Sequence, residues 1–269
     1  MNDASDRWFN DCVAALNDPR NQRVWSIIVT VFGDLAQRPG DRLSGAALSR
    51  IIEPLGVRPE AIRVALHRLR KDGWLESARE GRESRHFLTE FGRAQSAAVT
   101  PRIYDRAPVV AERWHALIAG NADGVAALRE LLPAENYIGV GDTVALGEGP
   151  LPGNTNGLLG LEIGALRVPD WLRASIIPPD LNAACRDLMR SLEQADALVP
   201  SAGAASPLQT ATLRTLIVHR WRRVVLRHPD LPADFYPADW PGAKCRERVF
   251  RLLDRLPRPP IPEIEAAAS

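Results

Sequence analysis

Residues 44–89 read SGAALSRIIEPLGVRPEAIRVALHRLRKDGWLESAREGRESRHFLT. Two short helical patterns meet at Leu55-Gly56-Val57, where glycine permits the sharp turn between packed helices. Pro59 sits just inside the second pattern, where its missing N–H costs nothing. Ile62, Ala65, Leu66 and Leu69 then recur at helical spacing and are expected to face a core. Arg63, His67 and Arg70 or Lys71 recur three and four residues apart on another face. Asp72-Gly73 ends this helix, and Trp74-Leu75-Glu76 begins an extended run. REGRESR (79–85) reads as a charged hairpin tip turning at Gly81; His86-Phe87-Leu88 returns as a strand, and Thr89 is placed to N-cap the next helix. Helix, turn, helix and basic two-stranded ribbon is the order of a winged helix-turn-helix. Its second helix enters a major groove while the ribbon touches phosphates or an adjacent minor groove.

A basic helix face alone would signify only solvation; it is the order of turn, helix and ribbon that points to DNA. On this reading Arg63, Val64 and His67 probe base edges and Arg58 and Arg68 position the backbone. Arg70 and Lys71 complete the DNA-facing side of the helix, and Arg79, Arg82 and Arg85 hold phosphates from the ribbon. Between Arg58 and His86 there are eight Arg/Lys and five Asp/Glu, an excess of three. So small an excess suits a dimer that relies on base contacts rather than on bulk phosphate attraction. The whole chain carries a formal net charge of +1, which excludes a histone-like electrostatic binder.

At 269 residues the chain has room for two or three domains with real cores, and 45% hydrophobic with 25% charged residues is ordinary for a globular protein. Cys12, Cys185 and Cys245 are odd in number, far apart and without CxxC spacing, which suits a reducing cytoplasm and argues against disulfides or a cysteine zinc site. The first residues, MNDASDRWFND, show no signal-peptide pattern, and the apolar run VWSIIVTVF (24–32) is about half the length that spans a bilayer. A cytoplasmic protein is expected.

Upstream, residues 7–16 and 21–37 read as helices, and Ser44 as the N-cap of a helix ending near Glu53-Pro54. VWSIIVTVFGDL followed by LGVRPEAIRVALHRLRKDGWLESAREGRESRHFLT resembles the N-terminal domain of the PaaX family, bacterial repressors of phenylacetic-acid degradation operons and their relatives. A second block, LIVHRWRRVVLRHPDLPADFYPADWPGAKCRERVFRLLDRL (216–256), resembles that family's C-terminal helical domain. Between the blocks, Thr100-Pro101 and Ala107-Pro108 read as a connection. Strand patterns follow at 113–118, 137–140, 144–146 and 161–168, with a helix at 124–132, giving a small α+β sandwich. The resemblance implies that this segment is ferredoxin-like. The expected architecture is therefore α+β in three parts: a winged helix-turn-helix at 1–99, a ferredoxin-like middle domain at 100–175, and an all-helical ligand-sensing or dimerisation domain at 176–269. The tail PRPPIPEIEAAAS is expected to be poorly anchored.

No catalytic residues and no metal site are expected: the five histidines form no HExxH or i, i+4 pair, and there is no G-x-S-x-G or S-x-x-K. Eight glycines between Gly139 and Gly164 belong to turns, since no Lys-Ser/Thr or G-x-G-x-x-G accompanies them. His219, Arg220, Trp221 and Arg223 form the candidate ligand-binding set, with two readings. The arginines tie helices together through ion pairs, or they receive phosphates while Trp221 stacks on a ring. The resemblance implies no cofactor but an effector, phenylacetyl-CoA or another acyl-CoA. The expected function is a dimeric, ligand-responsive repressor of an aromatic-acid catabolic operon. The rival readings are an interaction module whose winged helix no longer binds DNA and a nucleotide-handling enzyme.

Overall fold

The structure is a computed structural model that describes residues 3–81, 83–107, 111–134, 137–200, 205–228 and 230–269. Helices α1 (Asp3–Leu16), α2 (Val24–Leu35) and α3 (Gly45–Ile52) are followed by α4 (Pro59–Lys71); a short strand β1 (Leu43–Ser44) precedes α3. The hairpin β2 (Leu75–Glu80) and β3 (Glu83–Leu88) leads into α5 (Glu90–Tyr104). The middle of the chain gives β4 (Trp114–Ile118), α6 (Ala122–Ala134), β5 (Tyr137–Val140), β6 (Val144–Glu148), β7 (Leu159–Ile163) and α7 (Asp170–Ile176). Four helices complete it: α8 (Pro179–Leu198), α9 (Pro207–Val225), α10 (Gly242–Arg255) and α11 (Ile261–Ala268). The mixed α+β class is as expected. No helix among the described residues is long and apolar enough to cross a membrane.

Packing groups these elements differently from the three consecutive segments read from sequence. One compact unit contains residues 1–106, 183–226 and 241–269; the other contains 107–182 and 227–240. The reason is α9. It packs against α1, α2, α3, α5, α10 and α11, and from Thr210 to Trp221 every residue is buried, including Arg214, His219 and Arg220. The C-terminal helices thus supply the core on which the N-terminal helices rest. A capping box starts α9: Ser206 accepts from the Gln209 N–H, and Gln209 accepts from the Ser206 N–H.

The ion pair that joins the two ends of the chain is fully buried. Asp34 on α2 accepts from Nε and Nη2 of Arg214 at 2.8 Å each, and from the Tyr104 hydroxyl at 2.7 Å. Arg258 adds a contact at 3.2 Å, and Arg214 also donates to the Leu256 carbonyl at 2.6 Å. Burial pushes the Asp34 carboxyl up, but the hydrogen bond and charge of Arg214, then Arg258 and Tyr104, outweigh it and hold the group below the usual carboxylate range.

Two expectations are corrected here. The connection expected from Thr100 onward is helical: α5 runs through Pro101 to Tyr104, and Trp221 Nε1 donates to the Ile103 carbonyl at 3.0 Å. The tail expected to be loose forms α11, which buries Ile264 against α9, α3 and β1. Part of the small-residue loop at 200–207, read as a linker, lies outside the described residues.

In the second unit the antiparallel sheet has the order β5-β6-β4-β7, and α6 packs Leu128 over Leu117, Ala119, Ala145 and Leu158. Counted along the chain this order is 2-3-1-4, the order of a split β-α-β sheet. A single helix crosses between its first two strands, and a loop at 149–158, rather than a second helix, leads into β7. Gly147 is required inside β6, since a β-carbon there would collide with the rings of Tyr137 and His115. Those two rings are themselves bonded, His115 Nε2 to the Tyr137 hydroxyl, at 2.9 Å.

Candidate nucleic-acid interface

The turn and caps around α4 follow from local chemistry. Ser44 caps α3 by accepting from the Ala47 N–H at 3.0 Å. A turn of 3-10 helix at Glu53–Leu55 ends on Gly56, whose φ of 80° only glycine adopts without strain. α4 then starts on Pro59 and buries Ile62, Ala65, Leu66 and Leu69, the four positions that the spacing predicted. It ends at Asp72 with Gly73 at φ 75°. The strand β3 lies between β1 and β2, with Leu75 opposite Leu88 and Glu80 opposite Glu83. β1 escaped the sequence reading because two residues carry no periodicity. Thr89 accepts from the Gly92 N–H at 2.9 Å, and a β-carbon on Gly92 would strike the Trp74 carbonyl, so α5 seats directly against the hairpin base.

On α4, Glu60, Arg63, Val64, His67, Arg68 and Lys71 are exposed and, at about 100° per residue, share the side opposite the core. Arg58 is exposed at the N-cap. Arg63 has only a loose contact with Glu60, 3.9 Å with both side chains over 70% exposed, so water screens it and the guanidinium can leave for another anion. Arg68 lies 3.4 Å from Asp72 and over the Trp25 ring. Arg70 turns away from this side toward the ribbon, where Nη1 donates to the Ser77 hydroxyl at 3.5 Å. Ser77 in turn bonds His86 Nδ1 at 2.7 Å. Burial, and then the Arg70 charge, pull the His86 pKa below its usual value, so the ring is neutral at pH 7 and joins β2 to β3 as a plain hydrogen-bonding group.

The ribbon differs from its sequence reading at Arg85. Arg79 is exposed, with a weak bond to the Gly81 carbonyl at 3.4 Å, and Arg82 lies outside the described residues. Arg85 is half-buried and already held by carboxylates: Glu265 at 2.8 Å, Glu83 at 3.5 Å and Glu80 at 3.7 Å. Its expected role on phosphate gives way to a structural one, because three acidic partners neutralise it. Glu265 does more: its other oxygen accepts from the Ser44 N–H at 2.8 Å, so one carboxylate from α11 fixes the ribbon and the start of α3 together. Sequence could not show this, as Glu265 is 180 positions from Arg85 in a tail without evident pattern. Replacing Glu265 by Ala should remove about 1.5–3 kcal/mol of stability, the range for hydrogen bonds to charged groups, read by denaturant unfolding.

The candidate ligand set resolves toward the structural of its two readings. Trp221 is 2% exposed, with Arg246 stacked over its ring. Arg220 donates to Asp187 at 2.6 Å, to Ser191 at 2.7 Å and to the Leu16 carbonyl at 3.1 Å. Arg223 pairs with Asp18 at 3.1 Å. His219 is 5% exposed and meets the Thr30 hydroxyl at 3.3 Å. Burial foremost, then the charges of Arg223 and Arg222, push its pKa down to about 4. A cavity beside Arg222, lined also by Thr30, Asp34, Ser96 and Tyr104, holds about 10 Å³, room for one water and not for a CoA thioester.

The family model described as PaaX-like protein matches residues 23–92, and the model of the PaaX-like protein C-terminal domain matches residues 179–259. The chain is 27% identical over 264 residues to the transcriptional repressor PaaX of Escherichia coli (strain K12), covering 86% of this chain and 79% of that one. A solved structure, the uncharacterized protein Rv0674 from Mycobacterium tuberculosis, aligns with 90% of this chain and 97% of its own at 20% identity, with a TM-score of 0.49. With both matched segments in order and together exceeding half its length, the chain belongs to the PaaX-like protein family.

Proposed function

We propose that this protein is a DNA-binding transcriptional repressor whose helix α4 reads the major groove. The observation that carries this is the outward side of α4: Arg63, His67 and Lys71 stand exposed on a helix whose opposite side is locked into a core. Arg63 and His67 supply donors for base edges; Arg58, Arg68 and Lys71 hold backbone phosphates, and Arg79 follows from the ribbon. The repressor sense comes from the likeness to the Escherichia coli protein. A homodimer on two half-sites supplies the affinity that a net charge of +1 does not. The effector implied by the family, phenylacetyl-CoA or another acyl-CoA, would bind outside the cluster at 219–223, where Arg220 and Arg223 already hold carboxylates and Arg222 bonds the Thr30 hydroxyl.

The test is binding to DNA upstream of the protein's own gene and neighbouring operons across a salt series, with and without phenylacetyl-CoA. Selective binding with a steep salt slope, weakened by the thioester, is the expected result. Arg63→Ala and His67→Ala should each cost about 1–3 kcal/mol on the selected site and little on random DNA. Lys71→Ala should weaken both equally and lower the salt slope by about one. Equal affinity of Arg63→Ala and the parent protein for the selected site would remove α4 as the reader.

A further inference from the structure

Val64 is 69% exposed, more than Phe91, Leu159, Leu161 or Trp171, the other large apolar side chains exposed among the described residues. It stands between Arg63 and His67 on the second turn of α4, pointing away from the core formed by Ile62, Ala65, Leu66 and Leu69. At that exposure it adds little to packing among the described residues. A β-branched residue in a helix interior is poorer than alanine by a few tenths of a kcal/mol, and an uncovered isopropyl group adds apolar surface to water. Phe91, by comparison, has an internal account, since its ring meets Trp74 edge-on at 5.7 Å.

On the reading that α4 enters the major groove, its first two turns lie against base edges, and there one base alone carries an apolar group: the 5-methyl of thymine. We infer that Val64 recognises a thymine by packing its methyl groups against that 5-methyl group, between the positions contacted by Arg63 and His67. This rests on the DNA-reading role of α4 and adds to it a base identity and a contact without hydrogen bonds. The polar neighbours help, because the guanidinium and imidazole fix the helix in the groove at a depth where a short side chain can touch the methyl. The contact expels water from both apolar surfaces.

The experiment starts from duplexes enriched out of a random library by the full-length protein. In the enriched site each thymine is replaced singly by deoxyuridine, which removes the methyl and leaves every hydrogen-bonding group in place. Affinities are measured by fluorescence anisotropy for the parent, Val64→Ala and Val64→Thr. Val64→Ala touches no core contact, and unchanged thermal unfolding verifies its fold. One thymine should show about a fourfold loss on demethylation with the parent protein, the worth of roughly one buried methyl group. Val64→Ala should bind the thymine and uracil duplexes alike, and Val64→Thr, which keeps one methyl, should retain part of the difference. Three outcomes overturn the assignment. If no thymine is sensitive, DNA reading stands and Val64 is not its apolar contact. If the sensitivity survives in Val64→Ala, another residue meets the methyl. Failure to enrich any duplex removes the DNA-reading role itself.

Discussion

Asp34→Ala should destabilise the protein by about 3–5 kcal/mol, the cost of leaving a buried charge without its partner. The magnitude follows from what the substitution strands. The Arg214 side chain is 6% exposed and two of its nitrogens bond Asp34, so the variant keeps a guanidinium in the interior with only the Leu253 and Leu256 carbonyls left. The Tyr104 hydroxyl loses its acceptor as well. Arg214→Ala should cost a similar amount by stranding the carboxylate, which Arg258 and Tyr104 would only partly satisfy. The double variant strands neither charge and should cost much less than the sum of the two. In thermal unfolding the single variants should melt on the order of 10 °C lower. Strict additivity would show that the pair contributes no coupling, and that account of the joint between α2 and α9 would fall.

The second large effect is a dependence of stability on pH. His219 is neutral in the fold, with its pKa pushed down to about 4, against an ordinary histidine value near 6.5 in the unfolded chain. Between those values the unfolded chain binds a proton that the folded protein does not. Stability is therefore complete above pH 6.5, falls as the pH drops toward 4, and loses nothing more from this group below that. The span corresponds to about 3 kcal/mol. The groups facing the ring make protonation costly: Arg220, Arg222 and Arg223 outnumber Asp18, and Thr30 supplies a lone hydroxyl. His86 shifts the same way and adds to the slope in the same direction. Asp34 acts separately, since a lowered carboxylate withdraws stability only below its ordinary value near 3.8. Guanidinium melts from pH 7.5 to 4.5 check this. The parent should lose stability steadily below pH 6.5, and His219→Gln, which cannot take up the proton, should show a much flatter profile. Parallel profiles would mean that the ring is already protonated in the fold or free to hydrate.

Helix α4 was open to sequence analysis because its determinants are local. Gly56, Pro59, Asp72-Gly73 and Gly81 each specify a backbone geometry within a few residues, and the spacing of Ile62, Ala65, Leu66 and Leu69 alone orients α4. The second unit was partly readable for the same reason: β4, β5 and β6 fell close to the expected runs, while β7 came two residues early and α7 was missed. What failed was long-range. Arg85 reads as a free cation until Glu265 is seen beside it, and Arg220 reads as a phosphate ligand until Asp187 and Ser191 close around it. α9 carries polar residues on every side, which suggests an exposed face; it has none along most of its length because Arg214, His219 and Arg220 find partners inside. The division into consecutive domains went the same way, since contacts between α2 and α9 bridge some 180 residues that no window spans.

The construction of the first unit also sets an order of events during synthesis. Helix α4 and the ribbon are complete by residue 88, but the core of the unit needs α9, and the carboxylate that fixes the ribbon to the start of α3 is Glu265. At ordinary translation speeds, roughly 10–30 s separate the emergence of α5 from that of α11. Through that interval the ribosome carries a finished α4 sequence without the scaffold that presents it. A chain cut short between α5 and residue 265 carries the whole of α4 and the ribbon but lacks the carboxylate that ties the ribbon to the start of α3.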